Sequence, residues 1–194
     1  MQHDYGPWLN HFSDALTPGQ TALDIGCGSG DDTLALVEAG LRVTALDLKP
    51  ANIRCAASRT TDATFLVADL RAGLPFRDNL FNLAVASLSL HYFDRATTAR
   101  ILHDIQRVTT PGATLLARVN VVGDTASLWG TGTEHEPDYF EVQPGLFKRF
   151  FTESSLRQAL APHFDIHRIF PMATVVHGHH PKQTLVVRAT RRDG

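Results

Sequence analysis

Cysteine is scarce. Two thiols, Cys27 and Cys55, in 194 residues exclude a disulfide scaffold. An excess of either charge is also missing: 18 Lys and Arg stand against 20 Asp and Glu, so no basic field draws the chain to nucleic acid. No apolar run approaches the length of a membrane span. The opening Met1-Gln2-His3-Asp4 has neither the basic nor the apolar region of a signal peptide. A cytoplasmic protein with neither a membrane nor a nucleic-acid partner is the expectation. What is present is a 43% hydrophobic composition on a length suited to one domain, 1–194, with a sizeable core.

The most informative stretch is Ala22-Leu23-Asp24-Ile25-Gly26-Cys27-Gly28-Ser29-Gly30. It reads as a buried strand entering a glycine turn that opens a helix. Glycine permits positive φ and close backbone approach to a ligand, and a helix start offers free N–H groups. About twenty residues on, Val43-Thr44-Ala45-Leu46 ends at Asp47-Leu48, where a carboxylate is placed to grip a ribose diol. These features describe a nucleoside-binding crevice. A dinucleotide fingerprint requires glycine where Asp31 stands. With Asp24, Asp31 and Asp32 nearby, the loop suits an amino group and a sulfonium better than a pyrophosphate.

Strands are expected at 21–25, 42–46, 64–67, 82–87 and 113–119, with helices at 32–39, 50–57 and 95–108. That alternation predicts a doubly wound, mostly parallel α/β sheet. Trp8, Leu9, Phe12, Ala15 and Leu16 recur at helical spacing within 1–18. Residues 120–151 are rich in Gly, Glu and Pro and show no period, so they read as an irregular loop over the acceptor side. Thr152 caps a helix reaching Leu160, and 163–170 with 184–190 read as a final strand pair.

D-x-G-x-G-x-G followed by a strand-terminal acid resembles the first motifs of class I S-adenosylmethionine-dependent methyltransferases. Phe81-Asn82-Leu83-Ala84-Val85-Ala86-Ser87-Leu88-Ser89-Leu90-His91 is similar to the family's fourth strand, with Asn82 where aspartate is usual. Arg107-Val108-Thr109-Thr110-Pro111-Gly112 resembles its turn before strand five. The resemblance covers roughly residues 20 to 120. It implies a Rossmann-like seven-stranded sheet with a C-terminal antiparallel hairpin, and S-adenosyl-L-methionine as cofactor. It also implies that Asp24, Gly26, Cys27, Gly28, Ser29 and Gly30 form the cofactor loop and that Asp47 and Leu48 flank the ribose. Asp69 and Leu70 would meet the adenine, and Ser87 and Leu88 the amino-acid end. The C-terminal half loosely resembles tellurite-resistance-like small-molecule methyltransferases, which implies a small, anionic or chalcogen acceptor.

His91 is the leading ionisable candidate for taking a proton from the acceptor; a locally bonded structural histidine is the competing reading. Lys148 and Arg149 either attract an anionic acceptor or form a basic surface pair. His135 and the cluster His177, His179 and His180 have no helix to align them, and no metal is assigned. A small-molecule methyltransferase is the favoured function. Its alternatives are a non-catalytic S-adenosylmethionine-binding module and a nicotinamide oxidoreductase on a related sheet. Neither the acceptor nor the oligomeric state is legible.

Overall fold

The computed structural model describes residues 8–175 and 181–192. Five parallel strands lead: β1 (Thr21–Ile25), β2 (Arg42–Asp47), β3 (Ala63–Val67), β4 (Phe81–Ser87) and β5 (Thr109–Asn120). Between them run α1 (Asp31–Glu38), α2 (Pro50–Ala57) and α3 (Arg95–Val108). Next come β6 (Thr133–Glu136), β7 (Tyr139–Gln143), β8 (Leu146–Arg149), α4 (Glu153–Leu160), β9 (Phe164–Val175) and β10 (Pro181–Arg191). The seven-stranded sheet has the order β3-β2-β1-β4-β5-β10-β9, with β10 antiparallel to both its neighbours. This is the expected Rossmann-like fold with its C-terminal hairpin.

Period-two alternation divides the core between the two faces of the sheet. Leu23, Ile25, Ala84, Ala86, Leu115 and Ala117 pack with Ile101, Leu102 and Ile105 of α3 and Leu156 and Leu160 of α4. The alternate residues Ala22, Leu83, Val85, Leu116 and Val186 pack with Leu36 of α1 and with Trp8, Leu9 and Phe12. Burying each such leucine or phenylalanine contributes about 1.5–3 kcal/mol, so both faces must be covered.

Local chemistry sets the element ends. Asp94 caps α3 by accepting from the Thr97 amide at 2.7 Å, and Thr152 and Ser155 form a reciprocal box at the start of α4. Asn82 accepts from the Thr21 amide at 3.2 Å, joining β1 to β4 at the end remote from the glycine turn. Arg107 donates to the carbonyls of Phe76 at 2.7 Å and Leu74 at 2.9 Å, anchoring the chain that enters β4.

Two expectations require correction. Residues 8–15 are not a regular α-helix: they form 3-10 turns interrupted at Phe12, whose φ/ψ is −131/26. Burial of Trp8, Leu9 and Phe12, and not a continuous ladder of helical bonds, holds the segment in place. Residues 120–151 are not irregular either. They contain a three-stranded antiparallel sheet, β6-β7-β8. Its strands are short, and register shifts at Glu134/Glu136 and Glu141/Gln143 break the alternation that would have revealed it. The final strands also run longer than expected. His177, His179 and His180 lie outside the described residues.

Candidate functional site

β1 ends in the turn Gly26 to Gly30 because two of those glycines are sterically obligatory. A Cβ on Gly26 would lie 2.5 Å from Ser89 Cβ, and one on Gly30 would lie 2.8 Å from Ala56 Cβ. Gly28 differs. Its φ is +54°, yet a Cβ there would meet nothing within 4 Å, so this glycine faces open space at the C-terminal edge of the sheet. The amides of Gly26 and Cys27 both donate to the Leu46 carbonyl, at 2.8 and 2.9 Å, which ties the turn to β2.

Asp47 completes that tie. Its Oδ2 accepts from the Gly28 amide at 3.0 Å, while Oδ1 accepts from the Lys49 amide at 2.8 Å and Asn52 Nδ2 at 3.0 Å. The neighbouring Leu48 is 54% exposed, and Val67, paired with Asp47 across β2 and β3, is 48% exposed. Two uncovered apolar side chains therefore flank the carboxylate at the strand ends.

Asp24 lies beneath the turn. It is 1% exposed, and its Oδ2 accepts from Thr33 Oγ1 at 2.6 Å, bracing α1 beneath the turn. Burial, reinforced by the Asp32 charge, raises its pKa to about 8. Cys27 is buried, and its thiol is pushed well above the usual range by burial and by Asp24 and Asp47. Ser29 Oγ donates to Asp31 at 3.2 Å, and Asp31 in turn pairs with Arg59. Asp32 accepts from Trp8 Nε1 at 2.8 Å and is attracted by Arg118. The acidic field inferred from the sequence is thus largely neutralised, and Asp47 is the carboxylate that remains at the opening.

Asp69 is engaged by Arg71, whose Nη2 donates to Oδ2 at 2.7 Å and whose amide donates to Oδ1 at 2.9 Å. This pairing holds its carboxyl below the usual range. Leu70 begins a short 3-10 turn beside it. An open groove of about 480 Å³ runs past Asp69, lined by Val67, Ala68, Leu74 and Pro75.

At the end of β4, Ser87 Oγ accepts from Arg118 Nε at 2.9 Å and Nη2 at 2.7 Å. Leu88 takes φ +55°, and its amide donates to the Arg118 carbonyl at 2.9 Å. Strain of this kind at a strand end turns the chain sharply toward His91. His91 is 1% exposed, lies 4.3 Å from the Tyr92 ring at a 42° tilt, and has no hydrogen-bond partner at Nδ1 among the described residues. Burial, together with the charges of Lys182 and Lys148, holds its pKa well below the usual value, so the ring is neutral at pH 7.

The basic pair in β8 divides into two roles. Arg149 is structural: it pairs with Glu136, donates to the Phe93 carbonyl at 3.1 Å, and lies 4.8 Å over the Tyr139 ring. Lys148 is half-buried and donates to the Ser127 carbonyl at 3.2 Å. His135 sits 3.4 Å from Glu141, and no group of three metal-ligating side chains occurs among the described residues. Lys182, Asp124 and the Trp8–Asp32 contact escaped the sequence reading. They are brought together only by strand pairing and by packing of the first segment, which no local period announces.

No helix among the described residues is long and apolar enough to cross a membrane. A methyltransferase of Synechocystis sp., itself uncharacterized, is 36% identical over 98 residues, 50% of this chain and 46% of that protein. The demethylmenaquinone methyltransferase of Renibacterium salmoninarum is 34% identical over 111 residues, 56% of this chain and 46% of that one. The matched stretch thus spans about half the length of these curated relatives. An S-adenosylmethionine-dependent methyltransferase of Methanosarcina mazei superposes with a TM-score of 0.79 at 24% identity, covering 93% of this chain and 96% of that one. The family described as methyltransferase domain matches residues 22–112, from β1 to the turn inside β5. Those residues, a little under half of the chain, hold the glycine turn, Asp47, Asp69 and Ser87 and are similar to a methyltransferase domain.

Proposed function

We propose that the protein transfers a methyl group from S-adenosylmethionine to a small-molecule acceptor. The observation that carries this reading is Gly28, open to the strand ends and bonded through its amide to Asp47. That arrangement fits the adenosyl portion of the cofactor. Gly28 admits close approach, Asp47 offers a carboxylate to the ribose hydroxyls, and Leu48 and Val67 offer uncovered apolar surface to the adenine. Asp69 and Leu70 are proposed for the adenine edge, where the Asp69–Arg71 pair would have to open or share. The carbonyls around Ser87 and Leu88 are proposed for the amino-acid end. Asp24, Cys27, Ser29 and Gly30 act by fixing the shape of the turn.

When bound, the cofactor supplies an electrophilic methyl on a sulfonium. The chain's task is then to orient an acceptor atom in line and exclude water, and positioning of this kind contributes up to about 7–11 kcal/mol in favourable intramolecular cases. Two elements are suited to it. The 8–15 segment is latched to α1 by Trp8 and Asp32. The β6–β8 sheet is seated on the chain after β4 by Arg149 on Phe93 and by Glu136 on the Arg95 amide at 3.1 Å. Both close on the end of β4, and the near-balance of charge favours a small acceptor over nucleic acid.

Calorimetry tests the cofactor. S-adenosylmethionine and S-adenosylhomocysteine should bind far more tightly than NAD, and equal or tighter NAD binding would overturn the reading. Release of S-adenosylhomocysteine against a panel of hydroxyl, amine and thiol acceptors separates an enzyme from a binding module.

A further inference from the structure

Arg118 and Asn120 of β5 are paired in register with Val186 and Thr184 of β10, so they share one face of the sheet, with Lys182 two residues along. Ser87, paired with Arg118, shares that face too. It is the face covered by Trp8 and Leu9, at the C-terminal ends of the parallel strands. Across from it lie Asp124 and Lys148, linked through Ser127, whose hydroxyl donates to the Asp124 carboxylate and whose carbonyl accepts from Lys148 Nζ at 3.2 Å.

The charges here do not balance. Arg118 answers to Asp32 and lies 4.9 Å over the Trp8 ring. Among the described residues, Lys148 and Lys182 repel each other, have only Asp124 between them as countercharge, and make no salt bridge. Around the excess cation lie polar atoms with no partner among the described residues. Asn120 is 0% exposed, and neither its Oδ1 nor its Nδ2 is bonded. His91 Nδ1, on a ring that feels both lysines, is unbonded as well. A buried amide left unsatisfied is destabilising, and an uncompensated cation is more so. A ligand group that accepts from both lysines and from Asn120 Nδ2 would compensate the cations and satisfy the amide donor together.

We propose that the methyl acceptor carries a carboxylate or phosphate-like anion, seated by Lys182 and Lys148 with Asn120 donating beside them. This rests on the methyltransferase reading, since it places the anion next to the Ser87–Leu88 end of the cofactor crevice. Lys182 also gives the site a pH signature. Desolvation and the cations Lys148 and Arg118, opposed by Asp124, bring its pKa down to about 8. Anion affinity therefore falls as pH rises past that value and Lys182 loses its proton.

The test uses the full chain, with benzoate and inorganic phosphate as probes, titrated by calorimetry with and without saturating S-adenosylhomocysteine. At least one probe should bind with 1:1 stoichiometry at pH 7 and at least about tenfold more weakly at pH 9.5. Lys182→Met and Lys148→Met should each weaken it by about tenfold or more, and Lys182→Arg should restore binding at pH 9.5. Tighter benzoate assigns a carboxylate, and tighter phosphate a phosphate-like group. Absence of binding by both probes, or equal binding to wild type and both Met variants, overturns the proposal. S-adenosylhomocysteine affinity should stay unchanged in these variants. Its failure to bind the wild type would instead overturn the cofactor reading, leaving the probe titrations on the unloaded protein as the measure of this site.

Discussion

The Gly28 amide and the Asp47 carboxylate, 19 residues apart in the chain, meet at 3.0 Å, and this bond closes the two strand ends into one crevice. A carboxylate offers about four acceptor sites, and protein donors already fill three of those on Asp47. Its orientation is therefore fixed before any ligand arrives. A ribose would take the remaining capacity and share the rest.

Asp47→Ala should consequently weaken S-adenosylmethionine binding by at least about tenfold, because each charge-assisted hydrogen bond contributes about 1.5–3 kcal/mol. The same change frees the Gly28 amide, so some thermal stability is lost as well. Gly28→Val should abolish binding, since the side chain enters the volume the ligand needs, and should also cost some stability because φ +54° strains a β-branched residue. Calorimetry and circular dichroism together check both. Wild-type affinity in either variant would mean that the crevice lies elsewhere.

Asp24 carries a pH prediction. Its pKa in the unfolded chain is near 3.8 and in the folded state about 8, so the native protein holds more protons between those values. Unfolding then becomes easier as pH rises from about 4 to 8, and this contribution levels off above the folded pKa. Asp24→Asn keeps an acceptor for Thr33 and has no charge to bury. Its melting temperature should exceed that of wild type at pH 8.5, and the difference should shrink toward pH 5. An unchanged difference across that range would show that Asp24 does not titrate there.

The parallel sheet was legible because helices alternate with most of the strands β1 to β5, and single residues such as Pro50 mark where a helix starts. The glycine turn and Asp47 were legible because a strand end, a turn and a second strand end follow at fixed spacing. The β6–β8 sheet was not, since its four- and five-residue strands are offset by bulges. Nor was the fate of the acidic residues. Asp31, Asp32 and Asp69 find Arg59, Trp8 and Arg71 as partners, and for Asp31 and Asp32 only the folded chain brings them together. Lys182 carries no sequence signal at all; its significance comes from lying two residues beyond Thr184, the partner of Asn120 at the end of the β5–β10 ladder.

Trp8 is bonded to the first turn of α1, directly after the glycine turn, so cofactor binding should be felt in the 8–15 segment. Hydrogen exchange with and without S-adenosylhomocysteine should show added protection there, in the glycine turn, and in the β6–β8 sheet over the end of β4. Trp8→Ala removes both the Asp32 bond and the ring over Arg118, and should cancel the effect in 8–15. Protection confined to the glycine turn would reduce both elements to static cover.

The last prediction concerns His91. Its ring is neutral well below pH 6.5, because it is buried and faces Lys182 and Lys148. A neutral imidazole can accept a proton, but one with so low a pKa is a weak base, and its protonation should not shape the rate near neutrality. With a hydroxyl or amine acceptor, kcat/KM should therefore show no inflection near pH 6.5, and any acidic limb should appear lower. If His91 nonetheless takes the proton, His91→Asn should lower kcat by about 10²–10⁴-fold without altering cofactor affinity. If it instead donates a positioning bond through Nδ1, asparagine can replace that donor, and the loss should fall mainly on KM. A thiol acceptor that is already ionised needs no base, so the variant should keep most of its turnover there. An inflection near pH 6.5 that vanishes in His91→Asn would overturn the neutral-ring reading, since it would require a histidine exposed to water.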